Sequence, residues 1–90
     1  MTTLLDGGMG RELMRIGKEN EALRRGEPVE VSATDRHSLD IREHSCIFSD
    51  PRVRQDPRLF MNAMEHIQQH TKVLRTADPV ILTAIGEQIP

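Results

Sequence analysis

Two short stretches of this 90-residue chain share one pattern: Asp40-Ile41-Arg42-Glu43-His44 and His66-Ile67-Gln68-Gln69-His70. In each stretch, a side chain that can bind a metal or form a hydrogen bond stands four residues before a histidine, and an isoleucine follows it directly. A separation of four residues places two side chains on the same face of an α-helix, one turn apart. The repeated pattern therefore predicts two helices of the same kind, folded back on one another as a hairpin.

Three Asp-Pro steps mark where helices begin: Asp50-Pro51, Asp56-Pro57 and Asp78-Pro79. Aspartate caps the free amides of a first turn, and proline suits the first helical position, where a missing N–H costs nothing. The expected helices are a short turn through residue 54, a long helix over 57–75, and a last short helix over 80–85 that ends at Gly86.

The first copy of the pattern lies in a helix expected over residues 36–48, with Thr34-Asp35 as its N-cap. One stripe of this helix should carry His37, Ile41, His44 and Phe48. The residues expected to point inward from the long helix are Phe60, Met64, Ile67 and Val73 or Leu74.

The amino-terminal part predicts an amphipathic helix over residues 9–26, which stops at Gly26. Met9, Leu13, Ile16, Asn20 and Leu23 follow one another at alternating steps of four and three, which is the seam of a heptad repeat. This seam can serve association, with Asn20 fixing the register. The alternative is an amphipathic helix that lies on its neighbours within the chain, with Asn20 at the rim.

The complete prediction is an all-α fold, a small hairpin or bundle of three to four helices. Residues 34–86 form the hairpin module. The expected remainder is a flexible glycine-rich segment over 1–8, an extended connector or short edge strand over 27–33, and a tail over 87–90. Aromatic residues make up only 2% of the chain, so a chain of this size should be marginal alone and gain stability by associating.

Charge and composition disfavour several classes of function. Twelve Lys and Arg stand against 14 Asp and Glu, which gives no basic footprint for nucleic acid. The basic residues Arg11, Arg15, Lys18, Arg24 and Arg25 are interleaved with Glu12, Glu19 and Glu21, a pattern typical of a solvated helix face. Neither a membrane span nor a secretion signal is expected, and the single Cys46 suggests a reducing compartment and a small buried side chain.

Four residues could form a metal site if the hairpin is antiparallel: Asp40, His44, His66 and His70. Three imidazoles and one carboxylate are a reasonable set of ligands for zinc. The alternative is that these side chains hydrogen-bond between the helices or with the backbone. Neither stretch matches the metalloprotease pattern His-Glu-x-x-His, so no general base is placed and no enzyme is predicted.

From Asn20 onward, the chain resembles the carboxyl-terminal region of the portal proteins of tailed bacteriophages. The matching stretches are Glu19-Asn20-Glu21-Ala22-Leu23, Gly26-Glu27-Pro28-Val29, Thr34-Asp35-Arg36-His37, Ile41-Arg42-Glu43-His44, Asp56-Pro57, His66-Ile67-Gln68-Gln69-His70 and Asp78-Pro79-Val80. Two positions depart from the pattern: Asp40 stands where a histidine is usual, and Gln69 where a glutamate is usual. The large body of a portal protein is not part of this chain.

That resemblance implies a non-enzymatic structural protein, a component of a ring at the vertex of the capsid where head and tail join. Its expected partners are copies of itself or a larger head or portal assembly. Its expected location is the virion, and the host cytoplasm during assembly.

A second resemblance concerns the amino terminus, where Thr3-Leu4-Leu5-Asp6-Gly7-Gly8-Met9-Gly10, on to Gly17, is similar to the first strand and loop of homocysteine S-methyltransferases. Those enzymes are (β/α)8 barrels of about 250 residues that hold zinc through cysteines. The similarity ends at Gly17, and the chain has one cysteine. A methyltransferase remnant would imply binding of homocysteine or a methyl donor near residues 6–10.

Overall fold

A computed structural model describes residues 6–87, apart from the side chains of residues 6 and 7. The α-helices of this part are α1 (Arg11–Arg24), α2 (His37–His44), α3 (Pro51–Gln55), α4 (Pro57–Thr76) and α5 (Pro79–Ala84). A π-helical turn (Asp6–Gly10) leads into α1, and a 3-10 helix (Ser45–Ser49) continues α2. These residues contain no β-strand, so the all-α prediction is confirmed and the connector contains no edge strand. The helices number five because α3 and α5 stand as separate short helices.

The Asp-Pro steps begin helices as predicted. The carboxylates of Asp50, Asp56 and Asp78 accept the amide hydrogens of Arg52, Arg58 and Val80 at 2.9, 3.0 and 2.8 Å. In each case the proline occupies the first turn, where no intrahelical bond is lost. These local caps fix the starts of three helices without help from the tertiary structure.

The N-cap predicted for α2 is wrong. This helix begins at His37, and its free amide at Ser38 donates to Oε1 of Glu87 at 2.7 Å, while the Ser38 hydroxyl donates to Oε2 at 2.7 Å. The Asp35 carboxylate instead accepts the amide hydrogen of Ser32 at 3.0 Å in the preceding turn. A cap supplied from 49 residues away cannot be found from local sequence.

The stop at Gly26 is confirmed. Gly26 has φ +81°, a left-handed conformation that glycine adopts without strain, and its amide donates to the carbonyl of Leu23 at 3.0 Å. The next amide, of Glu27, donates to the carbonyl of Ala22 at 3.0 Å. These bonds close α1 and turn the chain into the connector, which has no regular secondary structure between Glu27 and Ser32.

The amino-terminal prediction needs a correction. Residues 1–5 lie outside the described part, but residues 6–10, expected to be partly flexible, form a helical turn that runs into α1. Glycine disfavours a helix by only about 1 kcal/mol relative to alanine. A helix already formed from Arg11 onward can therefore extend over one glycine-rich turn. At the other end, residues 88–90 of the predicted tail lie outside the described part.

The two long elements of the module, α2 and α4, form the predicted hairpin. His37 contacts His70 while His44 contacts His66, so the chain directions are opposite and the helices are antiparallel. A small apolar cluster lies beside this contact, formed by the buried residues Leu23, Ile47 and Ala63 with the half-buried residues Val29 and Phe48.

The residues expected to point inward from α4 are only half-buried: Phe60, Met64, Ile67, Val73 and Leu74. The buried residues of this helix are Ala63, His66 and His70. The prediction assumes that the large apolar side chains face the interior. The buried face of α4 is instead formed by Ala63 and the two histidines, so the large apolar side chains lie at the edge of that face.

The heptad seam of α1 faces the chain itself. Ile16, Asn20 and Leu23 are buried, Met9 is half-buried, and Leu13 is 41% exposed. This arrangement matches the amphipathic alternative, except that Asn20 is buried rather than at the rim. None of the helices within residues 6–87 is long and apolar enough to cross a membrane.

Replacing Leu23 by alanine should lower the free energy of unfolding by about 2–4 kcal/mol, because the side chain is fully buried and leaves a cavity. Leu13→Ala, on the same helix but exposed, should cost less than about 1 kcal/mol. Urea denaturation followed by circular dichroism measures both values. Equal losses would contradict the burial of α1 against the hairpin.

Candidate metal centre

The structure brings together all four residues of the predicted metal site. The side chains of Asp40, His44 and His70 are fully buried, and His66 is 2% exposed. Nε2 of His66 lies 3.0 Å from Nε2 of His44 and 3.2 Å from Nε2 of His70. Oδ2 of Asp40 lies 3.3 Å from Nε2 of His70. Each pair stands four residues apart on one face of its helix, which is why the antiparallel hairpin brings them together.

In two histidines, the ring nitrogen that faces away from the centre (the outer nitrogen, Nδ1) donates to an acceptor that carries no hydrogen. Nδ1 of His66 lies 2.8 Å from the backbone carbonyl of Val29, so this nitrogen must carry the proton. Nδ1 of His44 lies 2.7 Å from Oδ1 of Asn20, whose Nδ2 donates to the carbonyl of Glu43 at 3.2 Å. That second bond fixes the amide orientation and makes Oδ1 an acceptor. Both rings therefore turn an unprotonated Nε2 toward the centre when neutral.

A fourth histidine sets the tautomer of His70. Nε2 of His37 donates to the backbone carbonyl of Ala33 at 3.3 Å, so in the neutral form of this ring Nδ1 is an acceptor. Nδ1 of His70 donates to that atom at 2.8 Å. Nε2 of His70 is then unprotonated as well. Three imidazole lone pairs thus converge on one buried point.

Protonation is disfavoured at two of the three converging rings. Burial, reinforced by the neighbouring imidazoles of His66, His37 and His44, lowers the pKa of His70 to about 3. Burial also lowers the pKa of His66 below its ordinary value. The Nε2 atoms of these two rings lie 3.2 Å apart. A cation at this point would be bound by both rings.

The guanidinium of Arg15 holds the carboxylates of Asp40 and Glu19 next to the histidines. Nη2 of Arg15 donates to both oxygens of Asp40, at 2.9 and 3.1 Å, and Nη1 donates to Oε2 of Glu19 at 3.0 Å. Burial acts to raise the pKa of Glu19, but His44 and Arg15 outweigh it, and the pKa lies below its ordinary value. Glu19 is therefore ionised at neutral pH.

Sequence reasoning missed four members of this centre: Arg15, Glu19, His37 and the buried amide of Asn20. The prediction that Arg15 and Glu19 belong to a solvated face of α1 is wrong, because their charged groups contact Asp40 and His44. The sequence contains one indication of their role: Glu19 precedes the seam residue Asn20 and stands four residues after Arg15, so both charged side chains lie on one face of α1 near the seam. His37 had been placed on the stripe of His44, without a role at the site. Cys46, expected to be buried, is exposed.

Comparison with known proteins does not assign the site: no family model matches the chain, and no curated protein or solved structure matches it either. The chemistry of the centre must therefore be inferred from its own atoms. Its parts are three imidazoles whose Nε2 atoms converge, the carboxylates of Asp40 and Glu19, and the guanidinium of Arg15.

Replacing Arg15 by methionine should lower the free energy of unfolding of chelator-treated protein by about 2–4 kcal/mol, because Asp40 would be left as a buried charge without its partner. Adding Asp40→Asn should recover part of that loss. A double-mutant cycle by urea denaturation measures the coupling. If the loss of unfolding free energy in the double mutant equals the sum of the losses in the two single mutants, the interaction between Arg15 and Asp40 does not stabilise the fold.

Proposed function

We propose that this chain is a non-enzymatic helical module for assembly, related to the carboxyl-terminal region of phage portal proteins. The observation that supports this proposal best is that the histidines of the matching stretches meet at one centre. His37 and His44 of α2 and His66 and His70 of α4 are joined by contacts of 2.8–3.2 Å between their ring nitrogens. The spacing of those stretches is what a histidine-centred hairpin requires.

The two departures from the portal pattern are compatible with the proposal. Asp40 is fully buried against Arg15 and His70, so a carboxylate takes a place in the centre where a histidine is usual. Gln69 is exposed and lies outside the centre. The pattern can therefore vary at both positions while the hairpin is retained.

Association is favoured by the apolar side chains that remain uncovered. Met14, Met61 and Val80 are 65, 52 and 74% exposed, although the buried apolar cluster is small. A small domain with a small apolar core gains stability when such side chains are covered by a neighbour. We propose copies of this chain or a larger head or portal assembly as that neighbour, in the virion and, during assembly, in the host cytoplasm.

The purified chain should sediment as an oligomer at micromolar concentration. Met14→Gln should shift the distribution toward monomer without changing the helix content, because the side chain is exposed on α1. Lys18→Gln, an exposed polar position on the same helix, is the matched control and should sediment as the wild type does. Sedimentation velocity measures all three proteins. A cooperatively folded wild-type monomer would contradict the proposal.

A second function is favoured by the geometry of the centre: a zinc-binding module that uses Asp40, His44, His66 and His70. Its support is the convergence of three unprotonated nitrogens next to a buried carboxylate. Because these ligands are buried, the ion would have a structural role, as in closed zinc sites, rather than a catalytic one. The two functions are compatible, since an ion can stabilise the hairpin of an assembly module.

Zinc should raise the melting temperature of the chain by more than about 10 °C once its concentration exceeds Kd a thousandfold, because an ion that binds only the folded state stabilises it. His66→Ala should lose most of that rise. Gln69→Ala, exposed on the next turn of α4, should keep it. Differential scanning calorimetry measures the three shifts, and an unchanged rise in His66→Ala would exclude the site.

A further inference from the structure

One carboxylate oxygen at the centre has no hydrogen-bond partner. Oε1 of Glu19 is the only such buried side-chain nitrogen or oxygen within the described part of the chain. It lies 3.3 Å from Nε2 of His44 and 3.8 Å from Nε2 of His66. A buried carboxylate oxygen without a partner is costly, and a cation bound between it and these two ring nitrogens would remove that cost.

Carboxylates outnumber guanidinium groups at the centre. Arg15 is in contact with three carboxylates, at 2.9 Å for Asp40, 3.0 Å for Glu19 and 3.9 Å for Asp35. One guanidinium therefore faces three carboxylates, an excess of acidic groups that favours a further cation at the centre.

We infer that the centre binds one divalent transition-metal ion through Nε2 of His44, His66 and His70, one oxygen of Asp40 and, as a fifth ligand, Oε1 of Glu19. This inference extends the proposed zinc-binding function, on which it rests. The four ligands predicted from sequence all belong to the two helices of the hairpin. The fifth ligand, Glu19, belongs to α1.

The spacing of neighbouring ligand atoms fits a single ion. Ligand atoms bound to zinc at 2.0–2.2 Å stand about 3–4 Å from their neighbours. The neighbouring atoms of the centre are separated by 3.0 Å for His44 to His66, 3.2 Å for His66 to His70, 3.3 Å for His70 to Asp40 and 3.3 Å for His44 to Glu19. Two sets of three ligands, His44 with His66 and His70, and Glu19 with Asp40 and His44, already lie within 4.8 Å of one another. Side chains must therefore move to bring all five ligands onto one ion.

The surroundings of the ligands also fit a metal site. Histidines that bind metals donate their other ring nitrogen to a carbonyl or a similar acceptor, which fixes the ring. Here those acceptors are the Val29 carbonyl, the Asn20 amide oxygen and the His37 ring, while Arg15 holds both carboxylates. Three imidazoles with two carboxylates suit Zn²⁺, Co²⁺ or Fe²⁺ more than Mg²⁺ or Ca²⁺, which prefer oxygen ligands alone.

Ligands from three helices give the ion a specific structural role. Asp40 and His44 belong to α2, His66 and His70 to α4, and Glu19 to α1. The ion would therefore fasten α1 onto the hairpin, in addition to closing the hairpin itself.

The test compares the full chain with Glu19→Gln, which keeps the shape of the side chain and removes its charge. Affinity is measured by titration of Zn²⁺ against a chromophoric chelator, and coordination by the visible spectrum of the Co²⁺ complex. Glu19→Gln should bind at least about tenfold more weakly. Its Co²⁺ spectrum should change from the weak bands of five-coordination toward the stronger bands of four-coordination. Glu21→Gln, exposed on the same helix, is the matched control and should match the wild type in both.

The outcomes separate this inference from the proposed function on which it rests. Wild-type protein that binds neither Zn²⁺ nor Co²⁺ would overturn both. Wild-type protein that binds, with Glu19→Gln equal in affinity and spectrum, would overturn the fifth ligand and leave the four-ligand zinc site standing. If Glu19→Gln loses its helix content, Glu19→Asp provides the same measurement. Its carboxylate is one methylene too short, so weaker binding is expected, and wild-type affinity would overturn the inference.

Discussion

Three imidazole Nε2 atoms that converge on one buried point impose the main constraint on this structure. Neutral rings can hold that arrangement only if each outer nitrogen has an acceptor of its own. The fold supplies those acceptors from three different places: Asn20 on α1, the Val29 carbonyl in the connector and His37 at the start of α2. The positions of α1 and of the connector are therefore tied to the same centre as the hairpin.

The interior is correspondingly polar. Within residues 6–87, seven buried apolar residues stand against six buried polar ones, and the two phenylalanines are only half-buried. A chain with so few aromatic residues cannot form a large apolar core, and it uses a hydrogen-bonded network in its place. Such a network specifies one arrangement when each member has a partner. Within the described residues, Oε1 of Glu19 is the one buried side-chain oxygen or nitrogen of this network that has no hydrogen-bond partner.

Local sequence predicted much of this fold because many of its determinants are local. The Asp-Pro steps cap their own helices, and the i,i+4 pairs place Asp40 with His44 and His66 with His70 on single faces. What local patterns could not give are pairings across the chain. Glu87 caps α2, and Glu19 joins the histidines, because of how the helices pack. The orientation of α4 is only partly predicted: His66 and His70 face the other helix as expected, but the large apolar residues expected to point inward are half-buried.

The polar interior also has a consequence for how stability changes with temperature. Exposure of apolar surface raises the heat capacity of the unfolded chain, while exposure of polar groups lowers it. Because nearly half of the buried residues are polar, these two contributions oppose one another on unfolding. The heat-capacity change should be small for a chain of this length. Its stability curve should then be broad and shallow, with cold denaturation displaced to lower temperature.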